Sequence, residues 1–130
     1  MKLKLQMVIA LFIIILLSAC SKKSETKDVS NSRKVKYEIT GTFTGKLTIV
    51  YNDNVSGNTT VSNVGLPWSK EIEYNSNVLA IGVGAQASVM GNQGQTAVLK
   101  IYSNGAAVKT STATAGSAGE ILIPTIAYGF

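Results

Sequence analysis

Apolar and polar residues alternate along most of this chain, beginning at Val35. The two-residue spacing is clearest in two runs, Val35–Thr40 and Leu47–Tyr51. Successive side chains of a β-strand point to opposite faces, so this period predicts strands with one buried face. A chain made of such segments buries its apolar faces only by packing sheet against sheet, which restricts it to the all-β classes.

Turn residues divide the region after Val35 into about eight short strands, as in a β-sandwich. Asn104-Gly105 lies between two of them and is the strongest hairpin signal, because both residues tolerate positive φ. Pro67 breaks the chain before the fourth strand, and Pro124 predicts that the last strand lies at an edge or carries a bulge. The remaining predicted strands are Thr59–Val64, Trp68–Tyr74, Val78–Ala87, Ala97–Tyr102, Ala106–Thr112 and Ile121–Tyr128. The spacing predicts a small, immunoglobulin-like β-sandwich of about seven to eight antiparallel strands.

Two burial expectations follow from this division. In the fifth strand, Leu79 is expected to share a covered face with Ile81, Val83 and Ala85. Trp68, at the start of the fourth strand, has two interpretations. It either fills the core, as large aromatic side chains do, or forms an exposed anchor for a partner. The core interpretation is favoured.

The first residues carry a separate signal. Lys2 and Lys4 precede the apolar run Met7–Leu17, and Leu-Ser-Ala then leads to Cys20, the chain's only cysteine. This order is typical of a secretory signal peptide, and Leu-Ser-Ala-Cys resembles the bacterial lipobox. It predicts a signal peptide at 1–19, removed before a Cys20 that is acylated, with palmitate for example. The alternative is a membrane-spanning anchor, but the run is short for a span of about 20 residues.

The charge of +5 is concentrated near the N-terminus. Residues 21–36 hold six cations against two acids, whereas residues 37–130 hold four cations against five acids. We therefore expect 20–34 to be a basic tether that is disordered, either solvated or resting on anionic headgroups, followed by one domain at 35–130. A nearly neutral domain is not expected to bind nucleic acid.

No catalytic constellation is apparent in the residues. The chain has no histidine and no second cysteine, so no zinc pattern exists, and no catalytic, metal or cofactor site is predicted. Glu71 and Glu73 are the closest acids, and paired carboxylates can serve glycoside hydrolysis. Charges that keep an exposed strand face soluble are the favoured explanation. The prediction is a protein that is not an enzyme.

Several short motifs together resemble the small mycobacterial membrane protein family, MmpS, and its lipoprotein relatives. The motifs are Tyr37-Glu38 with Gly41, Ile49-x-Tyr51-x-Asp53, Leu66-Pro67-Trp68-Ser69 followed by Ile72, and Lys100-Ile101 before Asn104-Gly105. Leu-Pro-Trp-Ser is the most specific of these, and the resemblance covers roughly 36–112. It implies a small β-sandwich outside the cytoplasmic membrane that serves as an accessory subunit of an RND-type exporter.

The chain departs from that family in two ways. Members use an N-terminal transmembrane helix, whereas this chain is expected to use lipid on Cys20. Many members also carry a cysteine pair in the late strands, but Leu99 stands where the first would align. A lipid anchor is compatible with the outer membrane or with the periplasmic side of the inner membrane.

The leading hypothesis is therefore a non-enzymatic envelope lipoprotein that binds another envelope component, such as an RND transporter. One alternative is a surface adhesion or glycan-binding module, which would gain support if Tyr51, Trp68 and Tyr74 shared an exposed face. Another is a purely structural envelope protein. A polar surface with a free strand edge would instead favour strand addition by a protein partner.

Overall fold

The computed structural model describes residues 33–54 and 57–130. Every regular element in these two ranges is a β-strand, and all strand pairs are antiparallel. The eight strands are β1 (Lys34–Gly41), β2 (Lys46–Asn52), β3 (Asn58–Val64), β4 (Trp68–Glu73), β5 (Ala80–Val89), β6 (Thr96–Ser103), β7 (Ala106–Thr114) and β8 (Leu122–Gly129). They form two four-stranded sheets, β4-β1-β6-β7 and β3-β2-β5-β8. The expected small β-sandwich is confirmed.

The alternation seen in the sequence builds the core between the sheets. In β1 the buried residues are Val35, Tyr37 and Ile39, while the residues between them face outward. The other central strands contribute in the same way, and edge strand β8 adds Ile123. The buried side chains of the central strands include Leu47, Ile49, Ile81, Val83, Leu99 and Ile101. Burying a large aliphatic side chain stabilises a fold by about 1.5–3 kcal/mol, so this two-sided layer is the main source of stability.

One predicted burial is wrong. Leu79 is expected in register with Ile81, but its side chain is 75% exposed and lies before β5, which starts at Ala80. The chain is still in the turn that follows β4 at this point, because the Val78 N–H donates to the Asn75 carbonyl. The strand therefore begins at Ala80, two residues later than the apolar run that starts at Val78.

The structure agrees with the predictions made from Asn104-Gly105 and from Pro124. Asn104 and Gly105 both have positive φ, at 50° and 83°, between β6 and β7. Pro124 lies in β8, which is the last strand of its sheet. The pairing of β8 with β5 shifts register beside this proline, so that β8 has one residue more than its partner. Pro124 thus lies on an edge strand and beside a β-bulge, the two positions in which a sheet tolerates proline.

The sandwich has one closed side and one open side. At the closed side the edge strands β7 and β8 contact each other. At the open side lie the other two edge strands, β3 and β4, each hydrogen-bonded to one neighbour. β4 carries Lys70, Glu71 and Glu73, charges that discourage further strand pairing. β3 has no charged residue and is interrupted by a register shift near Asn63, whose φ is 60°.

Strand direction also distinguishes the two ends of the sandwich. β1 starts at the end where β4 finishes, because Lys34 lies opposite Glu73. The turn at 104–105 lies at this same end, because Val35 pairs with Ser103. The last residues of the chain lie there too, because the Phe130 ring contacts the Tyr74 ring. We call it the basal end, since the chain leads from it toward residue 1.

Candidate binding surfaces

The outer face of the β4-β1-β6-β7 sheet is charged. By register this side of the sheet carries three oppositely charged pairs across neighbouring strands, formed by Lys34, Lys36, Glu38, Glu71, Glu73 and Lys100. Lys36 lies opposite Glu71, and Glu38 lies opposite Lys100. We call this surface the charged face. Glu71 and Glu73 belong to it, which agrees with a soluble strand face rather than with a pair of catalytic acids.

Three side chains at the centre of the charged face form a hydrogen-bonded cluster. Lys36 Nζ lies 2.8 Å from Glu38 Oε2, and the Tyr102 hydroxyl donates to Glu38 Oε1 at 3.0 Å. The Lys36 ammonium also sits 4.3 Å from the centre of the Tyr102 ring. The hydrogen bond from Lys36, followed by that from Tyr102, lowers the pKa of Glu38, and the same bond to Glu38 raises the pKa of Lys36. Solvent screens these groups, so the cluster contributes little stability.

The outer face of the β3-β2-β5-β8 sheet is different. Lys46 is the only charged residue in its four strands. A groove of about 400 Å³ runs along this surface, lined by Thr48, Val50, Gly84, Gln86, Leu122 and Pro124 among others. Val50 is 41% exposed and Leu122 is 68% exposed. We call this surface the uncharged face. Apolar side chains that stay in water beside a groove mark a contact surface.

Gly84 of β5 leaves room for Thr125 of β8 to pack closely at the groove. Gly84 lies opposite Val50 of β2, and Thr125 of β8 lies over it on the other side. A Cβ built on Gly84 would lie 2.4 Å from Thr125 Oγ1, closer than real contacts allow. Thr125 therefore packs directly on the backbone of β5, and the bulge in β8 places it at the wall of the groove.

Trp68 lies half-buried at the open side, at the first position of β4. Its ring centre is 5.9 Å from that of Tyr51, which in turn lies 5.6 Å from Tyr37. One part of the indole thus packs against the core, and the other part meets solvent. Tyr51 and Tyr74 are buried, so the three aromatics that would have favoured a glycan platform do not share an exposed face. Partner binding by Trp68 stays a prediction.

The basal end carries residues that sequence reasoning did not assign to a site. Leu79 is 75% exposed and Phe130 is 38% exposed. The Phe130 ring lies 5.6 Å from the Tyr128 ring and 5.8 Å from the Tyr74 ring. The Arg33 guanidinium sits 4.9 Å from the centre of the Phe130 ring. These residues come from four separate segments, so no local pattern predicts their meeting.

Within the described ranges, no group of three or more acidic, cysteine or histidine side chains is arranged to hold a metal ion. The same ranges contain no helix with the length and apolar character needed to cross a bilayer. Cys20, the predicted signal peptide at 1–19 and most of the predicted tether lie outside the described residues.

An eight-stranded sandwich with one charged and one nearly uncharged outer face defines a small all-β domain. A protein-family model described as Mycobacterium membrane protein matches residues 6–117. The chain belongs to this family, which confirms the resemblance to the MmpS proteins and indicates a membrane or cell-envelope protein. A comparison with curated proteins found no match.

Proposed function

We propose that this protein is a non-enzymatic envelope protein that binds another envelope protein through its uncharged face. The observation that carries the proposal is the contrast between the two outer faces. One is covered by charges that find partners within the sheet, and the other has a groove of about 400 Å³ with two exposed aliphatic side chains at its walls.

The uncharged face suits a protein partner for physical reasons. Desolvating it removes almost no charge from water, because Lys46 lies at the end of β2 and the groove is lined by glycine, threonine and aliphatic side chains. An apolar anchor of the partner can fill the groove between Val50 and Leu122. Such central, well-packed contacts dominate binding free energy. The charged face would instead have to give up its hydration and its paired charges.

The family suggests which partner this is. Membership in the Mycobacterium membrane protein family supports a membrane or envelope location. The resemblance to MmpS implies an accessory role beside an RND-type exporter, so we assign the uncharged face to the transporter or to its periplasmic adaptor. No enzymatic step belongs to this role.

Attachment to the membrane is the second part of the proposal. The signal peptide at 1–19 is removed, Cys20 is acylated, the basic tether covers 20–34 and the sandwich domain covers 35–130. The lipid holds the domain at the outer membrane or on the periplasmic side of the inner membrane. Because one acyl chain binds only marginally, the basic tether would add a second, electrostatic contribution.

Photo-crosslinking in living cells tests the partner. A photoreactive amino acid is placed at Leu122 in the groove and, as a matched control, at Thr110, which is exposed on β7 of the charged sheet. Mass spectrometry of the products should identify an RND-type transporter or its adaptor from position 122 and not from position 110. Equal products from both positions, or no protein product from position 122, would refute binding through the uncharged face. Products that contain surface or glycan-handling proteins, without a transporter, would refute the exporter role.

Replacement of Cys20 by Ser tests the anchor. The variant should lose uptake of labelled palmitate and shift from the membrane fraction to the soluble fraction. A variant that still takes up palmitate and still sediments with membranes would contradict acylation at Cys20. The matched control is Ser21→Ala, which changes the neighbouring residue and leaves the thiol in place.

A further inference from the structure

The basal end of the sandwich presents an apolar and aromatic patch in which Leu79 and Phe130 are exposed. We define the basal patch as Arg33, Val78, Leu79, Tyr128 and Phe130. We propose that the basal patch rests on the surface of an anionic phospholipid membrane, with Leu79 and Phe130 entering the interfacial layer. This inference uses attachment through the N-terminal segment but is independent of the uncharged face and of the partner that binds there.

Main-chain and ring contacts hold the patch in place. The Phe130 N–H donates to the Leu79 carbonyl at 3.0 Å, which extends the β5–β8 pairing by one more bond. The Phe130 ring meets the Tyr128 ring nearly edge to face, at an interplanar angle of 80°. Leu79 is therefore exposed on a backbone that is anchored on both sides, and it is not a loose loop side chain.

Arg33 places the exit of the chain beside the patch. Its guanidinium donates to the Val78 carbonyl and lies over the Phe130 ring, while its own carbonyl accepts from the Tyr74 N–H. The chain therefore leaves the sandwich toward residue 1 next to Leu79 and Phe130. The lipid that we propose on Cys20 would therefore be attached to the segment that joins the sandwich at Arg33.

The chemistry of the patch matches the surface of a bilayer. Aromatic and leucine side chains are stabilised at the level of the headgroups, where an apolar body meets a polar layer. Residues 22–36 hold six cations, Arg33 among them, against two acids, and cations near an anionic surface are attracted to it. At the edge of the patch, Glu73 lies opposite Lys34 in the pairing of β4 with β1. A membrane surface accounts for the exposed apolar side chains together with the neighbouring cations, without a protein partner.

Fluorescence quenching by spin-labelled lipids tests the contact. The full chain is reconstituted into vesicles of phosphatidylcholine and phosphatidylglycerol that carry a nitroxide at the headgroup. An environment-sensitive fluorescent amino acid replaces Leu79 or, as a matched control, Leu122, which is 68% exposed on the uncharged face. Neither side chain is part of the buried core, and circular dichroism verifies that both variants keep the β-sheet spectrum.

We expect loss of fluorescence at position 79 and little change at position 122. The loss should weaken in vesicles of phosphatidylcholine alone and in the Arg33→Glu variant. Equal quenching at the two positions would overturn the proposal, because it would mean that the domain has no preferred orientation on the bilayer. A blue shift at position 79 without quenching, dependent on protein concentration, would overturn it in favour of contact between two copies. Quenching that is unchanged without anionic lipid would overturn the assignment to anionic headgroups.

Discussion

Two buried tyrosines form a directed hydrogen-bond chain inside the sandwich. The Tyr37 and Tyr74 hydroxyl oxygens lie 2.7 Å apart, and the Tyr74 hydroxyl also donates to the Asn52 carbonyl. Each hydroxyl has one proton. Because Tyr74 uses its proton on Asn52, Tyr37 must be the donor in the bond between the two rings.

This direction makes the two Tyr→Phe substitutions unequal. In Tyr37→Phe one hydrogen bond is lost and Tyr74 keeps its acceptor, so we expect a loss of about 0.5–1.5 kcal/mol in the free energy of unfolding. In Tyr74→Phe the Tyr37 hydroxyl is left fully buried with no acceptor, and Asn52 loses a donor. We expect a cost at the upper end of about 1–3 kcal/mol.

The double variant, Tyr37→Phe with Tyr74→Phe, tests whether the unpaired Tyr37 hydroxyl causes the larger loss. Removing the Tyr37 hydroxyl in the Tyr74→Phe background takes away a buried donor that has no partner, so the second substitution should be neutral or stabilising. The double variant is then less destabilised than the sum of the two single variants.

Urea unfolding of the full chain in detergent measures all four free energies. Trp68 is the only tryptophan and packs against the core through Tyr51, so its fluorescence reports unfolding. A Tyr37→Phe variant that is as destabilised as Tyr74→Phe would refute the assigned direction of the bond. Purely additive losses in the double variant would refute the coupling.

Three other predictions concern pH, the open side and the groove. Burial raises the pKa of both Tyr37 and Tyr74 above the value of about 10 for an unfolded tyrosine, and the bond to Tyr74 raises that of Tyr37 further. Stability should therefore be intact below about pH 10 and fall as the pH rises above it toward the folded pKa values, with a shallower fall in the double Phe variant. Trp68→Ala should lower the free energy of unfolding by about 2 kcal/mol, less than the usual 3–5 for a fully buried ring. Chemical unfolding followed by circular dichroism measures this loss, and a variant as stable as wild type would contradict the half-buried placement. Gly84→Ala should lower stability in thermal unfolding by about 1–3 kcal/mol because its Cβ meets Thr125. Thr125→Ala should recover part of that loss when it is combined with Gly84→Ala, whereas Thr125→Ala by itself should not stabilise the protein.

The strands follow from the sequence because their signals are local. A buried face needs an apolar residue at every second position, and a two-residue hairpin needs positive φ at both central residues, as found at Asn104 and Gly105. The error at Leu79 is also local. The type of an apolar residue does not show whether it lies inside a strand or just before it. Only the hydrogen bonds of the preceding turn distinguish the two positions.

The sequence by itself therefore determined the class of fold, the strand positions, the uneven distribution of charge and the family. The tertiary structure alone decided where surfaces form. The groove depends on Gly84 and Thr125, which come from strands far apart in the chain and meet through the register of β5 with β8 and its bulge. The basal patch likewise unites Arg33, Leu79 and Phe130 through long-range pairing. Alternation sets which face a residue points to, but the order of strands sets its neighbours, and that order is fixed by packing over the whole domain.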